Sequence, residues 1–252
     1  MAEDRGTAST LKGRLADVYV PALVDGALQA LSRRLGNRAT IDDPLFGRAS
    51  TLSSIDPLLE KTRAHFRERR ATYRHIASAT GVDRDVSEGV LVMQTGSGVT
   101  EVPIAVVAER RRLREIELRL YYASGAEQRR PRSPLIDAGG DVPVPQIVAH
   151  VLDAFRKGAV ERVLAAFEES SRFVDPRGKV HPKRDGSMAS FISAVGDRIE
   201  LVPAGAADDG RNCCIEAVVT RLGPLQDPEP AALSFERGDS GLLRELRLYY
   251  EP

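Results

Sequence analysis

The 252-residue sequence has 36 basic and 36 acidic side chains, so its formal net charge is zero and no nucleic-acid partner is expected. Hydrophobic residues make up 42% of the chain and charged residues 29%, which is typical of a soluble globular protein and not of a disordered one. The longest apolar runs, such as residues 102–108, are too short to cross a membrane, so no membrane partner is expected either.

The only cysteines, Cys213 and Cys214, are neighbours in the sequence. Adjacent side chains on a strand point to opposite faces, so the pair is a poor disulfide, and we favour small core residues over a reactive thiol. The N-terminal segment MAEDRGTAST lacks the apolar stretch of a secretory signal. Without an export signal or disulfides, a cytoplasmic location is predicted.

In the first half of the chain, helix patterns precede strand patterns. Apolar residues at every fourth position predict a helix around residues 23–31. A longer helix is predicted over residues 55–72, with Asp56 as its N-cap and Pro57 in its first turn. The period then changes to that of strands joined by short turns. The predicted strands are residues 73–79, 90–95, 102–108 and 116–122.

The second half repeats this order of elements. Pro145 and the spacing of Ile147, Val151 and Phe155 predict a helix, and a shorter helix is expected after Gly158. The predicted strands are residues 198–203, 213–221, 232–236 and 243–250. Consecutive strands with short connections form an antiparallel meander, and helices ahead of a meander indicate the α+β class.

Three sequence elements recur in the same order in both halves, at offsets of 128, 132 and 124 residues. Residues 124–141 are rich in Gly, Pro and charge and are predicted to be a linker between units 15–123 and 142–252. The recurring pairs are ELRLYY at 117–122 and 245–250, IDDP at 41–44 with FVDP at 173–176, and VYVP at 18–21 with VPVP at 142–145.

The helices, the Asp-Pro turn, the meander and the ELRLYY last strand together resemble the SnoaL-like branch of the nuclear transport factor 2-like superfamily, which also contains ketosteroid isomerases. The resemblance covers both halves. It implies a curved sheet wrapped around helices as a cone with an internal pocket. Members commonly dimerise through their sheets, so the resemblance implies that the tandem chain is a covalent pseudo-dimer.

The two units differ at the position of the long helix that is predicted for the first unit. The second unit has only the short, polar segment 180–196 at this place. We therefore expect its pocket to be altered, closed or lost, and the working site to lie in the first unit.

Asp43 and Asp175 each precede a proline at the turn from helices to sheet. In enzymes of this superfamily a carboxylate near that turn often faces the pocket, which implies a catalytic Asp43 and a ligand-binding Asp175. An apolar cavity would raise the pKa of such a carboxyl group and make it a useful acid or base. The alternative, which we favour, is a turn in which the aspartate caps local backbone.

Arg119 and Tyr121 share one face of the last strand of the first unit. One interpretation places them in a pocket, where they bind an anionic or carbonyl oxygen of a ligand. The alternative, which we favour, places this face between the two sheets, where it joins the halves of the pseudo-dimer.

The four histidines show none of the spacings that metal sites require, so no metal or other cofactor is expected. His75 and Tyr73 share a face of the leading strand of the first meander. Such a pair could polarise a carbonyl group or shuttle a proton. A partly exposed strand pair is the more common arrangement.

Two functions remain open from the sequence. The first is a cofactor-free enzyme that isomerises, cyclises or dehydrates a hydrophobic oxygenated small molecule, or opens its epoxide, in the first-unit pocket. Asp43 would act there with Tyr73 or His75. The second is a non-catalytic module of the same fold that binds a small ligand or a protein. An acid or base beside an apolar cavity favours the enzyme, and a purely apolar cavity favours the binding module.

Overall fold

The computed structural model describes residues 11–96, 98–111, 115–123, 132–136, 138, 140–195, 199–222 and 228–250. Residues 124–131, 137 and 139 of the predicted linker lie outside this part of the chain. No helix in the described ranges combines the length and apolar composition that a membrane-spanning helix needs.

The described residues of the first half form three helices and six strands. They are α1 (Leu15–Asp25), α2 (Leu28–Leu35), β1 (Ala39–Asp43), β2 (Gly47–Ala49), α3 (Leu52–Glu68), β3 (Thr72–Thr80), β4 (Arg84–Thr95), β5 (Gly98–Arg110) and β6 (Ile116–Tyr122).

The second half has the same number and order of elements among its described residues. They are α4 (Gln146–Arg156), α5 (Val160–Ala165), β7 (Phe167–Val174), β8 (Val180–Pro182), α6 (Ser187–Val195), β9 (Ile199–Asp208), β10 (Asn212–Leu222), β11 (Glu229–Arg237) and β12 (Leu243–Tyr249).

Each half folds as one six-stranded sheet with helices packed against it. The strand orders are β2-β1-β6-β5-β4-β3 and β8-β7-β12-β11-β10-β9, which are equivalent when the halves are superposed in sequence order. This confirms the predicted α+β class and the repeat of one unit. The meanders β3–β6 and β9–β12 are antiparallel, but β1 runs parallel to β6 and β7 runs parallel to β12, so both sheets are mixed.

The parallel strands β1 and β7 were missed by the sequence prediction. The β1 sequence ATIDD has two acidic residues, and aspartate is depleted in strands. Both acids are nevertheless buried, Asp42 with 4% and Asp43 with 0% of its surface exposed. Arg132 and Tyr122, which bind these two acids, come from distant parts of the chain, so a local sequence pattern does not indicate this strand.

Helix α3 fills the interior of the first unit. It begins at Leu52, earlier than the predicted start at Asp56, because Thr51 donates its backbone N–H to the Ser54 hydroxyl at 3.1 Å and closes the first turn. Ile55, Leu59 and Phe66 are buried against the helices and sheet of this unit. Seventeen residues of helix therefore occupy the space that a cone could leave open.

The corresponding helix of the second unit is α6, which has only nine residues. The sequence prediction recognised that this segment is shorter, but described it as polar and gave it no helix. Met188 and Ile192 are buried in the second core, while Phe191 is only partly buried. The shorter helix covers less of the sheet, and a cavity remains beside it.

The two sheets pack against each other through a shared apolar cluster. Members from the first half include Val86, Val107 and Tyr121, and members from the second half include Cys214 and Tyr249. Burial raises the pKa of the Cys214 thiol well above its usual range, so this cysteine is a neutral core residue. The halves thus form the internal pseudo-dimer that the sequence repeat predicted.

Candidate functional site

Asp43 lies at the end of β1 and is completely buried. Its Oδ1 accepts hydrogen bonds from the backbone N–H of Leu45 at 2.8 Å and of Phe46 at 2.9 Å, so the carboxylate caps the turn between β1 and β2. The same oxygen accepts a hydrogen bond from the Tyr122 hydroxyl at 2.9 Å. Asp43 therefore has the turn-capping role of the favoured alternative, yet in a buried position.

The other carboxylate oxygen of Asp43 has no hydrogen-bond partner among the described residues. The Tyr19 hydroxyl is likewise buried without a partner in this part of the chain. Burial raises the pKa of Asp43, although the bonds from Phe46, Tyr122 and Leu45 and the charge of Arg132 oppose this shift. A carboxyl group with a raised pKa beside phenol hydroxyls is suited to general acid–base chemistry.

Tyr73 and His75 belong to a different polar cluster, at α1. The exposed His75 pairs through Nε2 with the Ser78 hydroxyl at 2.9 Å, and Ser78 donates to Asp17 Oδ1 at 2.7 Å. Burial raises the pKa of Tyr73, and the charge of Asp17 adds to this shift. The carboxylate associated with these two side chains is therefore Asp17, which the sequence interpretation did not single out.

Asp175 caps the turn between β7 and β8. Its Oδ1 accepts hydrogen bonds from the backbone N–H of Arg177 and of Lys179, each at 2.9 Å. Its Oδ2 lies 3.2 Å from Nε2 of His181, a buried histidine of β8. Asp175 thus has the same turn role as Asp43, but a histidine takes the place of the tyrosine.

An apolar cavity of about 30 Å³ lies in the second unit between α4, α6 and the sheet. Partly buried Phe155 and Phe191 flank it on the two helices. No carboxylate and no histidine is among its lining residues. His181 packs against Phe173 and Phe191, two rings that do line it, with centroid distances of 6.0 and 4.6 Å. The described wall of the cavity is therefore apolar apart from Arg156 and Tyr250, and His181 lies behind it.

The first unit has a wider hollow of about 440 Å³, but on its outer surface between α2 and α3. Ser32 and Asp56 face it and are joined by a hydrogen bond of 2.7 Å. This hollow lies on the surface and has polar side chains in its wall, unlike the internal pocket that the sequence resemblance implied. The second unit, whose pocket the sequence predicts to be altered, closed or lost, contains the cavity of about 30 Å³.

Arg119 and Tyr121 lie between the two sheets, buried to 1% exposure each. Arg119 donates from Nε to Glu216 Oε1 at 2.6 Å and from Nη2 to Glu216 Oε2 at 2.8 Å. The Tyr121 hydroxyl donates to the same carboxylate at 2.6 Å. These contacts match the interface alternative, because both side chains bind a glutamate of the other half.

The equivalent contact joins the halves in the opposite direction. Arg247 donates to Glu88 Oε2 at 2.7 Å, and the Tyr249 hydroxyl donates to the same oxygen at 2.7 Å. The two glutamates were missed by the sequence interpretation, although Glu88 and Glu216 are separated by 128 residues, the same offset as the repeated motif. That shared offset is the sequence signal that could have identified them.

No three His, Cys, Asp or Glu side chains of the described residues are grouped as a metal site requires. Burial raises the pKa of Cys213 to about 12, so this thiol is protonated and a poor ligand or nucleophile at neutral pH.

No model of a known protein family matches the sequence. No curated protein matches it either.

The solved structures to which the chain is similar include nuclear transport factor 2-like and ketosteroid isomerase-like proteins. One is a protein with a ketosteroid isomerase-like fold from Catenulispora acidiphila, in complex with trimethylamine, with 18% identity, 43% of this chain and 88% of that chain covered, and a TM-score of 0.38. Another is a nuclear transport factor 2-like protein of unknown function from Burkholderia pseudomallei, with 19% identity, 42% and 88% covered, and a TM-score of 0.37.

A third similar structure is the epoxide hydrolase/cyclase-like enzyme SalBIII of salinomycin pyran ring formation. It has 18% identity, covers 42% of this chain and 88% of its own, and has a TM-score of 0.37. These neighbours belong to the group of proteins that the sequence motifs resemble.

Proposed function

We propose that the chain binds a small hydrophobic molecule in the interior of the second unit, without converting it chemically. The observation that carries this proposal is the composition of the cavity wall, which is apolar apart from Arg156 and Tyr250. An enzyme of the kind considered from the sequence requires an acid or base that reaches its substrate. The cavity wall offers neither a carboxylate nor a histidine.

The size of the cavity determines how a ligand would enter. About 30 Å³ holds no more than a very small molecule, whereas ligand pockets typically have about 300–1,000 Å³. Phe155 and Phe191 are partly exposed and lie on opposite helices of the wall. Rotation of these two rings widens the cavity toward solvent, and α6 is short enough to leave that route uncovered. We infer that ligand binding and ring rotation occur together.

The organisation into units 15–123 and 142–252, with a linker at 124–141, is part of the same proposal. It is supported by the position of the described elements, which end at Tyr122 in the first half and begin at Gln146 in the second. Because the cores of the two halves are separate clusters, a ligand in the second unit leaves the first core unchanged.

The test is a titration with cyclohexanone and with larger hydrophobic ketones, followed by the methyl NMR signals of Leu201, Val219 and Leu233. We expect saturable shifts at these three residues and none in the first core. Leu201→Phe fills the cavity and should abolish the shifts. Val82→Phe adds the same ring at a position that is 96% exposed and serves as the matched control. Saturable binding that survives Leu201→Phe would place the ligand elsewhere.

A second candidate function, a cofactor-free enzyme of the first unit, is favoured by one observation. Asp43 combines complete burial, a raised pKa and a carboxylate oxygen without a partner among the described residues. Its partners in catalysis would be Tyr19 and Tyr122, since Tyr73 and His75 are associated with Asp17.

Proton abstraction next to a carbonyl group can be tested before the natural substrate is identified. Hydrophobic ketones are incubated in deuterated water, and deuterium exchange next to the carbonyl is followed by NMR. Asp43→Asn should slow the catalysed exchange about 10²–10⁴-fold if Asp43 is a general base. Exchange at the uncatalysed rate with the unmodified protein counts against the enzyme for this reaction and leaves the binding function.

A further inference from the structure

Two equivalent grooves flank the packed sheets, one for each copy of the repeat, and they differ in the groups that occupy them. The first groove is formed around Asp42, Leu120 and Tyr121. Arg132, from the segment after β6, donates to Asp42 Oδ2 at 2.6 Å and to the Leu120 carbonyl at 3.0 Å. Its guanidinium lies 5.8 Å from the centre of the Tyr121 ring. The chain itself therefore fills the first groove with a cation.

The second groove is identified by the strand registers. Asp42 is opposite Arg119 in the β1–β6 pair, and Val174 is opposite Arg247 in the β7–β12 pair. Val174 thus takes the place of Asp42, while Leu248 and Tyr249 take the places of Leu120 and Tyr121. These three residues line an open cavity of about 230 Å³ between the two halves.

The floor of the second groove is apolar where that of the first is charged. Arg48, which pairs with Asp42 at 3.5 Å, has Val180 as its counterpart by register, and Val180 is 47% exposed. The first half contributes Ile76, Val90 and Pro103 to the wall. A cation placed like Arg132 would have no carboxylate to pair with in the second groove, because Val174 takes the place of Asp42.

The rim of the second groove has one positive charge in excess. Arg74 pairs with Glu101 at 3.4 Å, Arg172 pairs with Glu245, and the buried Arg247 binds Glu88. Arg177 also lines the groove, and its guanidinium has no hydrogen bond or ion pair with any described residue, although its backbone N–H donates to Asp175. An occupant with a single negative charge would be complementary to this rim.

We propose that the second groove is a binding site for a monocarboxylate with an apolar body. The carboxylate binds the guanidinium of Arg177, which can donate two parallel hydrogen bonds to it. The apolar body lies along Val174, Val180 and Leu248 and against Pro103 of the other half. Leu248 lines both this site and the cavity inside the second unit, but the two have no other described lining residue in common, and a ligand here contacts both halves of the chain.

The test uses octanoate as the probe, with octanol and octylamine as neutral and cationic controls, and calorimetric titration as the measurement. Octanoate should bind saturably, at least about tenfold more tightly than octanol, because a charge-assisted hydrogen bond is lost with the carboxylate. Octylamine should not bind measurably.

Three variants locate the bound probe. Arg177→Ala should weaken octanoate binding about tenfold. Val174→Asp, which copies the residue of the first groove, should abolish it, and Val174→Leu should preserve it. Leu201→Phe, which blocks the cavity of the second unit, should leave octanoate binding unchanged. Equal binding of octanol, no saturable binding of octanoate, or octanoate binding that is insensitive to Val174→Asp would each overturn the proposal.

Discussion

Arg119 of the first half and Glu216 of the second half form a buried ion pair with two hydrogen bonds, 2.6 and 2.8 Å long. Neither side chain has more than 1% of its surface exposed. Arg247 and Glu88 repeat the contact with the halves exchanged. An interface between two identical subunits has this reciprocity, and here one chain supplies both sides.

Replacing Arg119 by alanine should lower the free energy of unfolding by about 3–5 kcal/mol, because the buried Glu216 would lose two charge-assisted hydrogen bonds and keep only Arg84, at 3.1 Å, as a cation. Denaturant unfolding followed by circular dichroism measures this change. Arg247→Ala is the matched variant and should have a similar effect, since Glu88 then loses its partner.

The double variant Arg119→Met with Glu216→Leu provides the control. It removes both charges of the pair together, so part of the lost stability should return, although Glu109 and Glu117 lose Arg119 and Arg84 loses Glu216. If Arg119→Ala alone changes the free energy of unfolding by less than about 1 kcal/mol, the range of an exposed pair, the pair does not join the halves.

Acid should weaken this interface in a way that depends on Glu216. Burial alone would raise the pKa of Glu216, but the charge and hydrogen bonds of Arg119, with the charge of Arg84 and the Tyr121 bond, hold it below the ordinary value of 4.5. A carboxyl group with a lowered folded-state pKa contributes stability above its unfolded pKa. That contribution is lost as the pH falls through the folded-state pKa.

Glu216→Gln should therefore lose most stability relative to the unmodified protein at neutral pH, and the difference should shrink below about pH 4.5. Thermal unfolding of both proteins between pH 3 and 8 gives this comparison. A difference that is constant over the whole range would contradict a charged Glu216 in the folded protein.

The architecture was largely predictable from the sequence. The strand period is a local signal, and the repeat is visible when the sequence is compared with itself. The meander strands β3–β6 and β9–β12 all lie close to their predicted positions. The strands β1 and β7 could not be predicted in this way. The buried Asp42 in β1 is bound by Arg132, ninety residues further on, as well as by the nearby Arg48.

The chemistry was less predictable than the fold. Asp43 was singled out from the sequence as a candidate carboxylate, but its partner Tyr122 belongs to the repeated motif, far from the turn in the sequence. The cavity depends on how much of each sheet α3 and α6 cover. This coverage is set by packing in three dimensions and not by a local sequence pattern. The sequence showed that the second helix is shorter, but a shorter helix opened the unit instead of closing it.

Two buried tyrosines beside Asp43 should respond differently to loss of their hydroxyl groups. Tyr122 donates to Asp43 at 2.9 Å, whereas the Tyr19 hydroxyl has no partner among the described residues. Tyr122→Phe should cost about 1–3 kcal/mol of stability because Asp43 loses a hydrogen bond. Tyr19→Phe should be neutral or stabilising. Urea unfolding of the two variants gives the comparison, and equal losses would mean that the Tyr19 hydroxyl is bonded.

The stability of Asp43→Asn should depend on pH in the opposite sense to that of Glu216→Gln. Burial raises the folded-state pKa of Asp43 above its unfolded value of 3.8, so its contribution is complete below that pH and is lost as the pH rises through the folded-state pKa. Asparagine cannot ionise and avoids this loss.

The free energy of unfolding of Asp43→Asn, relative to the unmodified protein, should therefore increase from pH 4 to pH 8. Asparagine can still accept the hydrogen bonds of Leu45 and Phe46 through its side-chain oxygen, so the turn remains capped. A relative stability that decreases over this range would show that the folded protein stabilises the carboxylate form.

Filling the cavity of the second unit should stabilise the protein while removing its proposed binding function. The cavity of about 30 Å³ is close to the volume of one or two methylene groups, and Val219 of β10 lies on its wall. Val219→Ile adds one methylene group there and should raise the free energy of unfolding by about 0.5–2 kcal/mol, as cavity-filling substitutions commonly do.

Val107→Ile makes the same change in the close-packed interface between the sheets, where extra volume forces strain and should cost about 1–3 kcal/mol. Thermal unfolding measures both changes. The opposite signs are expected because one site has space and the other has none, and destabilisation by Val219→Ile would mean that the cavity is already filled by side-chain motion.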